Sequence, residues 1–342
     1  MKDGVVSVAC LGAGYFSQFH YDAWARLPQA ICVGAADHDI ARAEATGLPA
    51  FDGLDAMLND ACPDILDIIL PPPAHRKAIL TALDFGVKTI ICQKPFCMDL
   101  AEAEGITHLA EHAGATLIVH ENFRFMPWYR VIQAQIEAGR IGTPLQATFR
   151  LRPGDGQGPD AYLDRQPYFQ QMPRFLIHET GVHWVDTFRF IFGSPRAVYA
   201  DLRQINPVIS GEDAGFVIFE HAEGVRSLLD GNRLCDHAAE NHRKTMGEAE
   251  FEGTAGAFEL RGDGSVTFRA HGQMQREVVL PPDASPSFGG DCVYHLQDHV
   301  VRGVLTGAPF ENTAREYLEV IRIKDAIYAS HQAGCKVDLP SV

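Results

Sequence analysis

Two segments of this chain carry groups able to move a proton. Lys94 precedes a proline in Cys92-Gln93-Lys94-Pro95-Phe96. An ammonium on a backbone of limited freedom can hydrogen-bond or protonate a substrate oxygen there; a solvated surface lysine is the plainer reading. In Ile177-His178-Glu179-Thr180-Gly181-Val182-His183-Trp184, Glu179 and His183 stand four residues apart. On a helix that spacing projects both from one face, and a carboxylate beside an imidazole orients the ring and raises its basicity. An ordinary i,i+4 surface pair is the alternative. His295 and His299 share the spacing but lack the glutamate of an HExxH site, so they read as a helix face and no metal is expected.

A third segment is Leu11-Gly12-Ala13-Gly14-Tyr15-Phe16-Ser17, a GxGxxG-like turn with serine at the third glycine position. Gly12 and Gly14 permit a tight turn and close approach of backbone to a pyrophosphate on the amino end of the following helix, with Tyr15 and Phe16 in the same loop. Asp37 lies at the end of the second strand, where its carboxylate can accept from ribose hydroxyls and repel a 2′-phosphate. NAD is therefore expected over NADP. Ligands of open α/β sheets bind beyond the carboxyl ends of strands, so Pro72 and His75 of Leu70-Pro71-Pro72-Pro73-Ala74-His75 join Gln93 and Lys94 on the cofactor side.

The elements that must position these groups follow from periodicity. Apolar runs at 5–11, 30–36, 65–70, 89–92 and 116–119 alternate with helical patterns at 15–26, 40–46, 54–58, 73–85 and 100–113, the βαβ signature of a doubly wound parallel sheet. After a helix at 127–138, runs at 145–151, 197–202, 214–219, 225–229, 248–252, 266–269 and 277–280 predict one antiparallel sheet. Helices at 180–192, 294–305 and 314–330 complete it. The expected architecture is a Rossmann domain over 1–122 and an α+β substrate-binding and oligomerisation domain over 123–342 with a large, mainly antiparallel, open-faced sheet.

Composition narrows the partners. The 29 basic and 44 acidic residues leave a net charge of −15, which disfavours nucleic acid and anionic membranes. No run is long enough for a signal segment or membrane span. The eight cysteines lack CxxC pairing and read as reduced thiols, so a cytoplasmic protein is expected.

The order GxGxxS, Asp37, Pro-Pro-x-x-His, Lys94-Pro95 and Glu179-x-Gly181-x-His183 resembles the Gfo/Idh/MocA family of nicotinamide-dependent oxidoreductases across essentially the whole chain. Gln93-Lys94-Pro95-Phe96 and His120-Glu121-Asn122-Phe123-Arg124-Phe125 resemble a sugar-dehydrogenase branch that includes D-apiose dehydrogenases. The resemblance implies that Lys94 matches the lysine of the family's Glu-Lys-Pro motif and His183 the acid/base histidine. Gln93 replaces the usual glutamate, and Glu179 stands where aspartate is usual.

The implied function is hydride transfer between NAD and a CH–OH group of a sugar, polyol or polyhydroxy acid. His183 would take the hydroxyl proton, Lys94 would steady the oxygen, and Glu179 would position the histidine or bind a neighbouring hydroxyl. Asn122, Arg124, Arg165, Tyr168 and Arg174 are the expected substrate contacts, the last three alternatively a solvated loop. A sheet covered on one face implies a homodimer or homotetramer. Two other classes remain open: an NAD-assisted hydrolase or lyase with transient hydride transfer, and a non-catalytic cofactor-binding regulator.

Overall fold

The computed structural model describes residues 4–340. The chain forms two compact units, Met1–Asn122 with Val293–Ile321 and Phe123–Cys292 with Arg322–Val342. Residues 293–321 thus pack with the first unit, although they follow the second in sequence.

The first unit contains β1 (Val6–Leu11), α1 (Ser17–Arg26), β2 (Ala30–Ala36), α2 (Ile40–Glu44), β3 (Ala50–Phe51), α3 (Leu54–Ala61), β4 (Ile65–Ile68), α4 (Pro72–Asp84), β5 (Thr89–Gln93), α5 (Leu100–His112) and β6 (Thr116–His120). All strand pairs are parallel, in the order β3-β2-β1-β4-β5-β6. This is the Rossmann order, and the strand sequence reverses direction between β1 and β4, where such sheets bind their ligands. The inner strands are apolar because helices cover both faces. Ile65, Leu66 and Ile68 of β4 are fully buried, each contributing roughly 1.5–3 kcal/mol. Asp67, between them, is equally buried. The two-residue β3 escaped the reading of the chain because it is too short to display a period.

The second unit adds α6 (Pro127–Glu137), β7 (Pro144–Leu151), α7 (Val182–Phe192), β8 (Ala197–Arg203), β9 (Ala214–Glu220), β10 (Arg226–Asn232), β11 (Gly247–Gly253), β12 (Gly256–Leu260), β13 (Val266–Ala270) and β14 (Glu277–Leu280). Helices α8 (Cys292–Thr306) and α9 (Ala314–Ala333) and strand β15 (Val337–Asp338) end the chain. The nine-stranded sheet runs β14-β13-β12-β11-β7-β10-β9-β8-β15. Among the described residues its one parallel pair is β7 with β10, so the sheet is mainly antiparallel, as expected, but mixed. Strand β12 was not among the expected runs.

One face of this sheet is packed. Phe188 meets Phe219 at 5.7 Å between ring centroids, and Trp184 meets Phe149 at 4.2 Å. On the other face Tyr199 pairs with Ile218 and Asp201 with Phe216, and Tyr199, Phe216 and Ile218 are exposed.

The helix expected at 180–192 differs at its start. Leu176–Gly181 form a π-helical turn and α7 begins only at Val182. The wider turn means that a four-residue spacing no longer stacks Glu179 and His183 on one α-helical face. Among the described residues, no helix is long and apolar enough to cross a membrane, and no group of three or more His, Cys, Asp or Glu is arranged to hold a metal ion.

Candidate active site

The glycine loop closes β1 against the neighbouring strand ends. Gly12 has φ +110°, and a Cβ there would lie 2.5 Å from the Ile69 carbonyl oxygen, so no other residue fits. Its N–H donates to Ala36 O at 2.7 Å. Around Gly14 a Cβ would meet open space, the room a pyrophosphate needs. Ser17 is buried and donates its hydroxyl to Gly14 O at 2.7 Å, so the serine at the third glycine position ties the loop to α1. Phe16 precedes α1 and makes no side-chain cap, which leaves the helix's amino end to an anion. Tyr15 is exposed on the loop.

Asp37 is buried at the end of β2. It accepts from Ala13 N at 2.8 Å and Asp39 N at 3.0 Å, and lies 2.9 Å from Nδ1 of the exposed His38. A carboxylate has about four acceptor directions, so it can brace the glycine loop and still take a ribose hydroxyl. An open Gly14, an uncapped helix end and a carboxylate at the tip of β2 fit a dinucleotide.

Three more residues expected on the cofactor side are held as follows. Pro72 is the first residue of α4 and shapes the turn. His75 is wholly buried, donating from Nε2 to Leu70 O at 2.7 Å and accepting from Cys97 N at 3.5 Å. Burial pushes its pKa down to about 4, and it fastens the turn after β4 to the one after β5. Gln93 is buried at the end of β5, with its amide oxygen toward Lys94 N at 2.8 Å and its nitrogen toward His20 Nε2 at 2.9 Å. Its amide serves the unit's interior at both ends. Lys94, next along, is half-buried, and Asn122 is buried just beyond β6.

In the second unit His183 is buried in the first turn of α7, its ring stacked on Phe123 at 3.7 Å and 4°. The preceding π turn is tied down by distant groups. Glu212 accepts from Ile177 N at 3.1 Å, and the Tyr328 hydroxyl accepts from His178 N at 3.1 Å while donating to Glu212. Glu179 accepts from the Thr180 hydroxyl and lies 3.8 Å from Arg233.

Arg233 is itself buried. It donates to both oxygens of Asp155, at 3.1 and 2.8 Å, and to Thr180. Burial opposes the ionised form of Asp155, but Arg233, Arg165 and the Tyr162 hydroxyl outweigh it and hold the carboxyl below its usual range. Arg165 donates to Asp155 at 3.1 Å. Tyr168 is exposed, its phenol raised by burial of the ring's surroundings and by Glu179. Arg174 lies over the Tyr328 ring at 4.4 Å and 3.7 Å from Asp325. Arg124, expected to meet substrate, forks onto Asp186 of α7 with bonds of 2.7 and 2.5 Å.

Asp67, Asp155, Glu212, Arg233 and Tyr328 stand outside the sequence motifs that point to chemistry. Asp67 was detectable, as a carboxylate in an otherwise apolar strand, because buried carboxylates are rare without partners. The others lie far from the segments they hold and carry no local signal.

Residues 6–121 match the model described as "Oxidoreductase family, NAD-binding Rossmann fold" of the Gfo/Idh/MocA group, and residues 129–259 match the GFO/IDH/MocA C-terminal domain. The chain is 30% identical to a D-apiose dehydrogenase of Paraburkholderia graminis, covering 98% of this chain and 90% of that one. The chain belongs to the Gfo/Idh/MocA family. The D-apiose dehydrogenase of Rhizobium rhizogenes is 27% identical over 97% of this chain and 96% of its own. A similar solved structure is an oxidoreductase from Agrobacterium radiobacter in complex with NAD+, L-tartaric acid and magnesium. It has a TM-score of 0.88 and 26% identity, and the match covers 97% of this chain and 98% of that one. As a Gfo/Idh/MocA member this chain is an NAD(P)-dependent dehydrogenase, and its Rossmann unit is the NAD-binding domain.

Proposed function

We propose that this dehydrogenase oxidises a secondary or hemiacetal hydroxyl of a sugar, polyol or polyhydroxylated acid. The observation that carries this reading is 30% identity across 98% of the chain to a D-apiose dehydrogenase. Because the named relatives are dehydrogenases, net hydride transfer is favoured over an NAD-assisted hydrolase or a silent regulator.

NAD, when bound, supplies the hydride acceptor. Gly12, Gly14, Tyr15, Phe16 and the start of α1 hold its pyrophosphate. Asp37 takes a ribose hydroxyl and disfavours a 2′-phosphate. His183 acts as general base toward the substrate hydroxyl, and Lys94 hydrogen-bonds the same oxygen and stabilises the charge that develops on it. Glu179 carries a negative charge steadied by Arg233 and Thr180, suited to a neighbouring substrate hydroxyl. Asn122, Arg165, Tyr168 and Arg174 supply further polar contacts. Arg124 works through Asp186 as a brace on α7. Tyr199, Phe216 and Ile218 on the open sheet face support a homo-oligomer formed there. Eight free cysteines support a cytoplasmic location.

The test is a screen of D-apiose, other aldoses, polyols and sugar acids with NAD, following NADH absorbance. Reduction of NAD by one of these classes is expected. Failure of every class would overturn the substrate reading.

A further inference from the structure

A buried hydrogen-bond chain in the first unit ends at Lys94. Asp67 Oδ2 accepts from Trp24 Nε1 at 2.8 Å and meets His20 Nδ1 at 2.8 Å. His20 Nε2 meets Gln93 Nε2 at 2.9 Å, and Gln93 Oε1 accepts from Lys94 N at 2.8 Å. His20 and Asp67 are fully buried. One donor in this chain is fixed by covalent structure, since a backbone N–H can only donate. The Gln93 amide oxygen must therefore face Lys94, its NH2 must face His20, and His20 Nε2 must accept. The single ring proton then sits on Nδ1 and goes to Asp67.

We propose that Gln93 is a positioning residue: by donating to His20 Nε2 it selects the Nδ1–H tautomer and anchors the backbone that carries Lys94. A glutamate here, as in the family's usual motif, accepts at both ends and donates at neither. It fits only if one further proton enters the chain. Asp67 already places a carboxylate at the other end, its Oδ1 without a hydrogen-bond donor among the described residues. An amide at position 93 completes the chain without a second buried charge.

The titratable groups facing this chain are the His120 ring, centred 4.1 Å from that of His20, the Cys10 and Cys92 thiols and the Tyr21 phenol. Cys10 is raised first by its hydrogen bond with Cys32, Cys92 and Tyr21 first by burial, and all three also by the charge of Asp67. All three therefore stay protonated across the neutral range.

The kinetic consequence rests on the proposed role of Lys94; the tautomer does not. The full chain, labelled with 15N-histidine and 15N-lysine, is measured as wild type, Gln93→Met and Gln93→Glu. Expected are a His20 ring protonated at Nδ1 alone and, in Gln93→Met, Lys94 amide exchange faster by about fivefold or more, the worth of one hydrogen bond. Turnover in that variant falls by about the same factor while the KM for NAD holds. Gln93→Glu keeps an acceptor for Lys94 N. Without the extra proton, however, its other oxygen faces the lone pair of His20 Nε2 and the side chain is pushed off both partners, so Lys94 amide exchange quickens as that proton is lost. The turnover of Gln93→Glu relative to wild type therefore falls as pH rises.

A wild-type ring protonated at Nε2 overturns the tautomer. Wild-type amide exchange in Gln93→Met overturns the anchoring. A pH-independent ratio for Gln93→Glu overturns the proton requirement. If no substrate reduces NAD, the dehydrogenation reading fails, while the ring and amide measurements still decide the proposal. If Gln93→Met does not fold, the wild-type ring and the Gln93→Glu amide exchange decide it.

Discussion

Phe123 lies flat against His183, with ring centroids 3.7 Å apart and planes within 4° of parallel. The stack holds the imidazole plane where the first turn of α7 presents it. An aromatic pair of this kind is worth about 0.5–1.5 kcal/mol beyond its buried area. Phe123→Leu should keep the fold and the affinity for NAD but lower turnover by about two- to tenfold, read from steady-state kinetics beside an NAD titration. Full turnover in the variant would show that the stack serves packing alone.

Lys94→Ala and His183→Ala should each bind NAD nearly as wild type, because the loop and Asp37 are the groups proposed to hold the dinucleotide. Turnover should fall by about a hundredfold or more, the lower end for a positioned proton-transfer group. The double variant should lose less than the sum in free energy, since groups serving one proton transfer are non-additive. Full rates after both changes would place the chemistry elsewhere.

Asp37 braces the loop through its bond to Ala13 N, beside the ribose contact proposed for it. Asp37→Asn can keep that bond while losing the charge, so it should narrow the preference for NAD over NADP by about tenfold with NAD affinity largely kept. Asp37→Ala should weaken both cofactors, by about 1 kcal/mol for the lost loop bond. Calorimetric titration of the two dinucleotides separates these effects. A wild-type preference for NADP would remove the assigned role.

Glu179→Gln should leave stability unchanged and reduce turnover by about one to two decades, the worth of a charged hydrogen bond to a substrate hydroxyl. Arg233→Met leaves the Asp155 carboxylate to Arg165 and the Tyr162 hydroxyl alone and should cost about 3 kcal/mol, with most of it recovered in Arg233→Met/Asp155→Asn. Urea denaturation of the four proteins is the measurement. A stable Arg233→Met single variant would mean that Arg165 and the Tyr162 hydroxyl suffice for Asp155.

His75 is held down to about 4 from an ordinary 6.5, first by burial. Its neutral form belongs to the fold, so as pH falls below 6.5 the unfolded chain takes up the proton first. Stability from this group is complete above that pH, declines toward about 4 and is then level. The integrated loss is about 3 kcal/mol. His75→Gln can still donate to Leu70 O, and it should flatten that part of the acid sensitivity. Equal destabilisation of the variant at pH 7 and pH 4.5 would contradict the assignment.

Much of the first unit was legible in the sequence because a βαβ pattern converts local spacing into position. Gly12, Asp37 and Lys94 each follow an apolar run, and strand ends on one edge of a parallel sheet share a ligand side. What His75, Gln93 and Arg124 do there was not legible. Each belongs to a recognisable motif, yet its partner is chosen by packing: Leu70 O and Cys97 N, His20 at 73 residues' distance, and Asp186 at 62. The π turn is the plainest case. Leu176–Gly181 reads as the start of a helix by periodicity, while its hydrogen-bond register is held by Glu212, 35 residues from Ile177, and Tyr328, 150 from His178. Periodicity reports which side of an element is apolar, because burial acts on every residue of that side at once. The partner of a buried polar group depends on a distance of about 3 Å between segments remote in sequence, and only the folded chain sets that distance.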